Sequence, residues 1–436
     1  MEQLSKKQLK KLGKRLRDAQ NPNTDDLERL QKYRCSFRDV VAEVFSIVDE
    51  CTKDICPSAI CSYRIKRIDS IIGKLRRLRG RLELDSMVDI AGCRFIVTKD
   101  AEIYKIIKRL ESTSLEITKI NNNIGQNAKE TGYKSVHIHA YLEKYGEGKQ
   151  IEIQLRSNIH HNWATFVETT DSVYGLRIKE GVVEIGKEKE YDDFYRFHQI
   201  MAKSEKKKSL EEKLYLLNNI VRYDIIGRLN DIILNNIVHV RLRWLALTNS
   251  NNNSLCCYIL STRKGFNPEI RGFTSFELAE KEYFNLFAHN RNNDNIVLLN
   301  MPNTTYDQIT KAYSNYLLVG HEFLRYFNRL MIEVYDITSN LKTSQLKPYL
   351  IYYDKVLRGY SKYMRTDLGL LEIRNDLPQD VNTHEWYDDV HKRVRELLDD
   401  YEDFQKEFHY RYLHDTKRTR LGKFLFKLKL KLRPKY

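Results

Sequence analysis

Ile151-Glu152-Ile153-Gln154-Leu155-Arg156 alternates apolar and polar residues without a break. A period of two puts Ile151, Ile153 and Leu155 on one face of a strand and Glu152, Gln154 and Arg156 on the other. An acid, an amide and a guanidinium sharing a covered face are costly unless they have partners or a ligand. The pattern suits a polar site laid on a sheet, and a plain amphipathic edge strand fits it too. Just upstream, Tyr133 to Glu143 reads as the partner strand, with Gly146 and Gly148 in the turn between. Gly132 permits the turn that precedes it. Tyr133 offers a flat face at the loop–strand junction, suited to stacking a base. Ser135, His137 and His139 share one face of that strand, opposite Val136, Ile138 and Ala140.

Further out, Met87-Val88-Asp89-Ile90-Ala91-Gly92-Cys93-Arg94-Phe95-Ile96-Val97 contains a third strand, Gly92 to Thr98. Asp89 stands at its mouth, where a carboxylate can hold a hard cation such as magnesium. A capping Asp is the plainer alternative. Gly92 leaves room for a close approach, and Arg94 projects to the same side. Ala101 to Glu111 reads as a helix and Leu115 to Asn121 as a strand. Asn122 to Gly132 is a polar loop. Ser62 to Arg79 reads as one helix with an apolar stripe of Ile68, Ile71, Ile72, Leu75 and Leu78. Lys66, Ser70 and Lys74 lie four apart, on another face. Two ammoniums and a hydroxyl in line suit a polyphosphate, as they would a solvated basic face. Two helices precede it, broken at Asn21-Pro22-Asn23, with Asn23 or Thr24 as cap. Asn158 to Ser172 is a helix after the opening strand. Two acids on neighbouring strands, Asp89 and Glu152, would make one magnesium and nucleophile-activating centre.

The 436 residues are 42% hydrophobic and 31% charged, as in globular proteins, and leave room for two or three domains. No apolar run approaches the length of a membrane span, and the N-terminus is polar at once, so a cytoplasmic location is expected. Seven cysteines, spread thinly and without zinc-ligand spacing, read as reduced structural thiols. The net charge of +15 is concentrated in the first helix and after Lys417, which favours a polyanion partner such as RNA.

In order and spacing, Arg64-x-Lys66, Ser70, Lys74, Asp89-Ile-Ala-Gly-Cys-Arg94, Gly132-Tyr-Lys-Ser-Val-His137, Glu152-Ile-Gln-Leu-Arg156 and His161-Asn-Trp-Ala164 with Glu168 resemble the synthetase domain of RelA/SpoT proteins. The resemblance implies an α+β fold, a nucleotidyltransferase-like mixed sheet flanked by helices. It implies transfer of the β,γ-diphosphate of ATP to a 3′-hydroxyl with Mg2+. By that likeness Arg64 and Arg94 would sandwich the adenine, and Lys66, Ser70 and Lys74 would hold the ATP phosphates. Asp89 would bind the metal. Glu152 would bind metal or activate the attacking hydroxyl. Tyr133 would stack on the acceptor base, and Lys134, His137, Gln154, Arg156 and His161 complete the acceptor side. The family's usual Gly-Tyr-Arg-Ser is Gly-Tyr-Lys-Ser here, so Lys134 keeps the charge and loses the bidentate fork. No hydrolase half is visible; His414-Asp415 is an isolated pair.

A second likeness covers Arg271-Gly-Phe-Thr-Ser-Phe-Glu-Leu-Ala279, Ile296-Val-Leu-Leu299 and Ala312-Tyr-Ser-Asn-Tyr-Leu317. It resembles the C-terminal regulatory domain of fused toxin–antitoxin members of the family. There a Tyr-x-x-Tyr motif can occlude the adenine site, so Tyr313 and Tyr316 would be autoinhibitory. In that group the acceptor is the 3′ end of tRNA, and the enzyme acts in phage defence on release by a phage protein. GDP or GTP, giving the alarmone (p)ppGpp, is the alternative acceptor, and a basic RNA-binding module with a dead catalytic site is the alternative to an enzyme. The expected plan is a synthetase domain over 1–203, a helical linker over 204–250, a small α/β regulatory domain over 251–335, and a helical basic extension over 336–436.

Overall fold

The computed structural model describes residues 4–124, 133–203, 207–225, 227–229, 255–262, 269–289 and 295–301, with single positions elsewhere, the last being Leu330. The chain forms two compact units. One is Met1–Thr165 with Asn251–Leu317, and the other is Phe166–Ser250 with Leu318–Tyr436. The expected basic extension lies outside the described residues, as does about half of the expected linker.

Three helices open the first unit: α1 Lys6–Asp18, α2 Thr24–Cys35 and α3 Arg38–Ile55. Asn23 caps α2, accepting the Asp26 N–H at 2.8 Å. The sequence suggests one helix where α2 and α3 stand. The break falls at Ser36, whose hydroxyl donates to the Tyr33 carbonyl at 2.6 Å and competes with the helical ladder.

The segment read as one helix from Ser62 is also two elements: strand β1 Ile60–Ile65, then helix α4 Ile68–Arg77. The apolar stripe begins only at Ile68. Ile68, Ile71, Ile72 and Leu75 are buried, each contributing roughly 1.5–3 kcal/mol. Before Ile68 the burial alternates, and the backbone bonds of β1 go to a neighbouring strand.

Eight strands make one mixed sheet. After β1 come β2 Ala91–Val97, β3 Glu116–Asn122, β4 Val136–Tyr141, β5 Ile151–Ser157, β6 Cys257–Thr262, β7 Glu269–Phe273 and β8 Asn295–Asn300. Their spatial order is β3-β4-β5-β2-β1-β8-β6-β7. The pair β2–β5 is parallel, and the other pairs are antiparallel. Helix α5, Asp100–Leu110, and α3 pack on one face. Val41, Val44, Ile103, Ile106, Phe95, Ile138, Ile153 and Leu155 are sealed in the core between. The architecture is the expected α+β mixed sheet flanked by helices.

Strands β6 to β8, expected in a separate small domain, extend this sheet, β8 meeting β1 at Tyr63 and Asn300. Cys257, Ile259, Ile296 and Leu298 share one core with the N-terminal strands.

Helix α6, Asn158–Tyr174, follows β5 directly. The second unit holds α7 Glu188–Met201 and α8 Leu210–Arg222. Phe166, Phe194 and Phe197 are fully buried in it, and the Tyr174 and Phe194 rings lie 4.5 Å apart. The finding of α8 covers only the start of the expected 204–250 linker. No helix among the described residues is long and apolar enough to cross a membrane.

Candidate active site

Strand alternation sends every second residue of β1, β2, β4 and β5 away from the core, and the register decides which of them meet. Arg64 pairs with Gly92, Gly92 with Glu152, and Glu152 with His139. One step along, Ser62 pairs with Arg94, Arg94 with Gln154, and Gln154 with His137. Two polar rows therefore cross four strands. They floor a cleft lined by Ser62, Arg64, Lys66, Asp89, Ala91, Gly92, Cys93, Arg94, Glu152 and Gln154. A Cβ on Gly92 would stand 2.7 Å from the Glu152 carbonyl oxygen, so only glycine lets β2 and β5 close at this point.

Asp89 sits in a short 3-10 turn, Val88–Ile90, that delivers the chain into β2. Lys66 Nζ lies 2.8 Å from its Oδ2 and Lys74 Nζ 2.8 Å from its Oδ1. Burial disfavours the charged Asp89, but the two ammoniums outweigh it and hold the carboxyl at about 2. Lys66 is shifted down because its burial outweighs the attraction of Asp89. Lys66 is not on α4 as the four-residue spacing suggested. It precedes the helix, and its amide donates to the Ile90 carbonyl at 2.8 Å, which sets it beside Asp89. Ser70 is turned to Arg67, whose Nε donates to its hydroxyl at 3.1 Å.

Glu152 is held from the β4 side. His137 Nδ1 lies 2.9 Å from Glu152 Oε1, and His137 Nε2 lies 2.9 Å from the Tyr133 hydroxyl. Burial pushes the Glu152 pKa up, but the His137 contact overrides it and leaves the net value lowered. The converse holds for His137: desolvation lowers its pKa, Glu152 raises it, and the net shift is upward. A protonated His137 then donates to both Glu152 and Tyr133. Arg156 donates to the same tyrosine oxygen and places its guanidinium carbon 5.0 Å from the ring centre, over one face. Gln154 ties the halves together. Its Oε1 accepts from Arg94 Nε at 2.8 Å, and its Nε2 lies 3.4 Å from the Tyr133 hydroxyl.

The structure thus joins Arg64, Lys66, Lys74, Asp89, Arg94, Tyr133, His137, Glu152, Gln154 and Arg156. Lys134 stands elsewhere, its charge felt at Asp100 and His160. His161 is buried on α6, 2% exposed. Sequence reasoning missed Ser62, which a strand assignment would have placed on the face of Arg64. Arg94 Nη1 also donates to the Ala312 carbonyl at 3.1 Å. Tyr313 and Tyr316, the expected autoinhibitory pair, lie outside the described residues.

Asp89 and Glu152 line one cleft, and Glu152 feels the charge of Asp89. Two carboxylates supply hard oxygen donors of the kind magnesium prefers. Cations facing a carboxylate pair are the charge pattern that a polyphosphate with a hard metal ion would suit. Residues 63–179 match the model of a region found in RelA and SpoT proteins, and the chain carries a synthetase domain of that type.

Small alarmone synthetase 1 from Bacillus subtilis, solved with its product pppGpp, is similar at 21% identity and a TM-score of 0.34, over 40% of this chain and 92% of that one. A GTP pyrophosphokinase family protein from Streptococcus pneumoniae is similar at 22% identity and 0.31, over 47% and 95%. Small alarmone synthetase 2 from Bacillus subtilis is similar at 20% and 0.30, over 39% and 88%. No curated protein matches the chain.

Proposed function

We propose that the chain is an ATP-dependent pyrophosphokinase whose acceptor is the 3′ end of tRNA. The observation that carries the reaction is the convergence of Lys66 and Lys74 on Asp89, beside a Glu152 held by His137, in one cleft. The acceptor's 3′-oxygen attacks the β-phosphorus of ATP, the bond to the α-phosphate's bridging oxygen breaks, and AMP leaves. The hydroxyl proton passes to Glu152, a carboxylate at neutral pH with its pKa lowered. Such transfer needs positioning and charge neutralisation more than covalent chemistry. ATP phosphates would compete with Asp89 for Lys66 and Lys74, and Asp89, with Glu152 beside it, would hold magnesium. Bound there, magnesium would neutralise charge on the phosphate oxygens. Arg64 and Arg94 border the cleft as planar cations suited to an adenine face.

The choice of tRNA rests on charge. Lys10, Lys11 and Lys14 on α1 and Arg76, Arg77 and Arg79 at the end of α4 are exposed, and the two helices pack together. A cationic face of this kind suits a phosphate backbone. The Arg94–Ala312 hydrogen bond brings the chain just before Tyr313 to an adenine-side arginine. That supports restraint by Tyr313 and Tyr316, released by a phage protein, as in fused toxin–antitoxin members.

Incubation of a chain freed of the restraint, Tyr313→Ala with Tyr316→Ala, with γ-labelled ATP, and tRNA, GDP or GTP in turn, tests the proposal. Label should enter tRNA, and Asp89→Asn should cut it at least about 100-fold. Label in guanosine nucleotide alone overturns the choice of acceptor; none in any acceptor overturns the reaction.

A further inference from the structure

The segment 66–68 carries Lys66 and starts the helix that carries Lys74. Two of its backbone groups are held from outside. Arg34 Nε, on α2, donates to the Lys66 carbonyl at 2.6 Å. The Tyr283 hydroxyl accepts the Ile68 N–H at 3.2 Å. Tyr283 belongs to helix α9, Phe276–His289, more than two hundred residues along the chain. Both side chains are sealed, Arg34 at 0% and Tyr283 at 1% exposure. They also meet each other, the Arg34 guanidinium carbon lying 4.9 Å from the Tyr283 ring centre.

One turn before Tyr283, Glu280 completes the cluster. It lies 4.0 Å from Arg34 Nη1, accepts the Cys35 thiol at 3.2 Å, and accepts the Gln31 amide. This polar group is costly where it stands. Arg34 Nη2 and Glu280 Oε1 are buried without a hydrogen-bond partner. A buried ion pair of that quality is a weak source of stability, since apolar residues of like volume often do as well. What the cluster does supply is a fixed position for the Lys66 carbonyl and for the first N–H of α4. Unlike a packed leucine, it acts on two backbone atoms beside the phosphate-binding lysines.

We propose that Arg34, Tyr283 and Glu280 are positioning residues for the ATP phosphates, so that α9 is a working part of the donor site. The acceptor side does not depend on it. This inference rests on the reading of Lys66 and Lys74 as phosphate ligands.

The test uses the full chain as wild type, Tyr283→Phe and Glu280→Gln. A non-hydrolysable ATP analogue, titrated by calorimetry, gives the donor Kd. Hydrogen exchange gives the mobility of peptides spanning residues 66–75. Tyr283→Phe leaves a buried amide without its acceptor, so the analogue Kd should rise about five- to tenfold. Exchange at 66–75 should quicken, and the Kd for the acceptor should hold. Glu280→Gln keeps the packing and should shift both readouts the same way by less. Equal weakening of donor and acceptor, or an unchanged analogue Kd with unchanged exchange, would overturn the proposal. A wild type that binds the analogue and transfers no diphosphate sinks the reaction while the comparison of donor Kd values still decides this inference.

Discussion

His137 and Glu152 each shift the other's titration in a direction that can be checked. The His137 pKa is raised from 6.5, so its contribution to stability is complete below about 6.5 and fades as pH climbs through the higher folded value. The Glu152 pKa is lowered from 4.5, so its share is complete above about 4.5 and fades only in stronger acid. The pair is therefore worth most between those values. Against His137→Gln, the wild type's advantage in melting temperature should peak near pH 5–6 and shrink above pH 8. A flat difference would mean the imidazole is held neutral. Glu152→Gln should cut transfer by about 100- to 10,000-fold if the carboxylate takes the proton of the attacking hydroxyl. Initial rates at saturating ATP measure it.

Strand pairing sets the next scale. Gly92→Ala forces a methyl against the Glu152 carbonyl of the neighbouring strand. The expected loss is about 1–3 kcal/mol, read by urea denaturation, with transfer impaired because β2 and β5 carry the polar rows. Much of β5 was legible, since its alternation fixes a face without any knowledge of neighbours. The same holds for Gly92 and Arg94 on β2. The helix assigned from Ser62 failed at its first six residues because an apolar stripe, once found, was extended past its true start at Ile68. That error put Lys66 on a helix face with Ser70. The right residue reached the cleft for another reason, the hydrogen bond from its amide to Ile90. Register was not legible: nothing in the order of residues says that Ser62 stands opposite Arg94, or Gln154 opposite His137. Arg34 and Tyr283 were invisible for the same reason, since their targets are backbone atoms that carry no sequence signal.

The whole molecule ties its middle to its beginning. A chain cut after residue 203 lacks β6, β7, β8 and α9, turns β1 into an edge and uncovers apolar core. It should be less soluble and melt lower than the full chain, as light scattering and calorimetry would show. A cut chain that stays monomeric and melts with the parent would show the later strands to be dispensable. The continuous sheet also has a consequence in time. A ribosome adding roughly 5–20 residues per second takes about 10–50 s to pass from β1 to β8. Through that interval each nascent chain holds the segment of Lys66 without the tyrosine whose hydroxyl accepts the Ile68 N–H. Synthesis must run to Asn300 of 436 residues before the sheet is complete. The order in which the polypeptide is made thus delays the finished site until more than two-thirds of the chain exists.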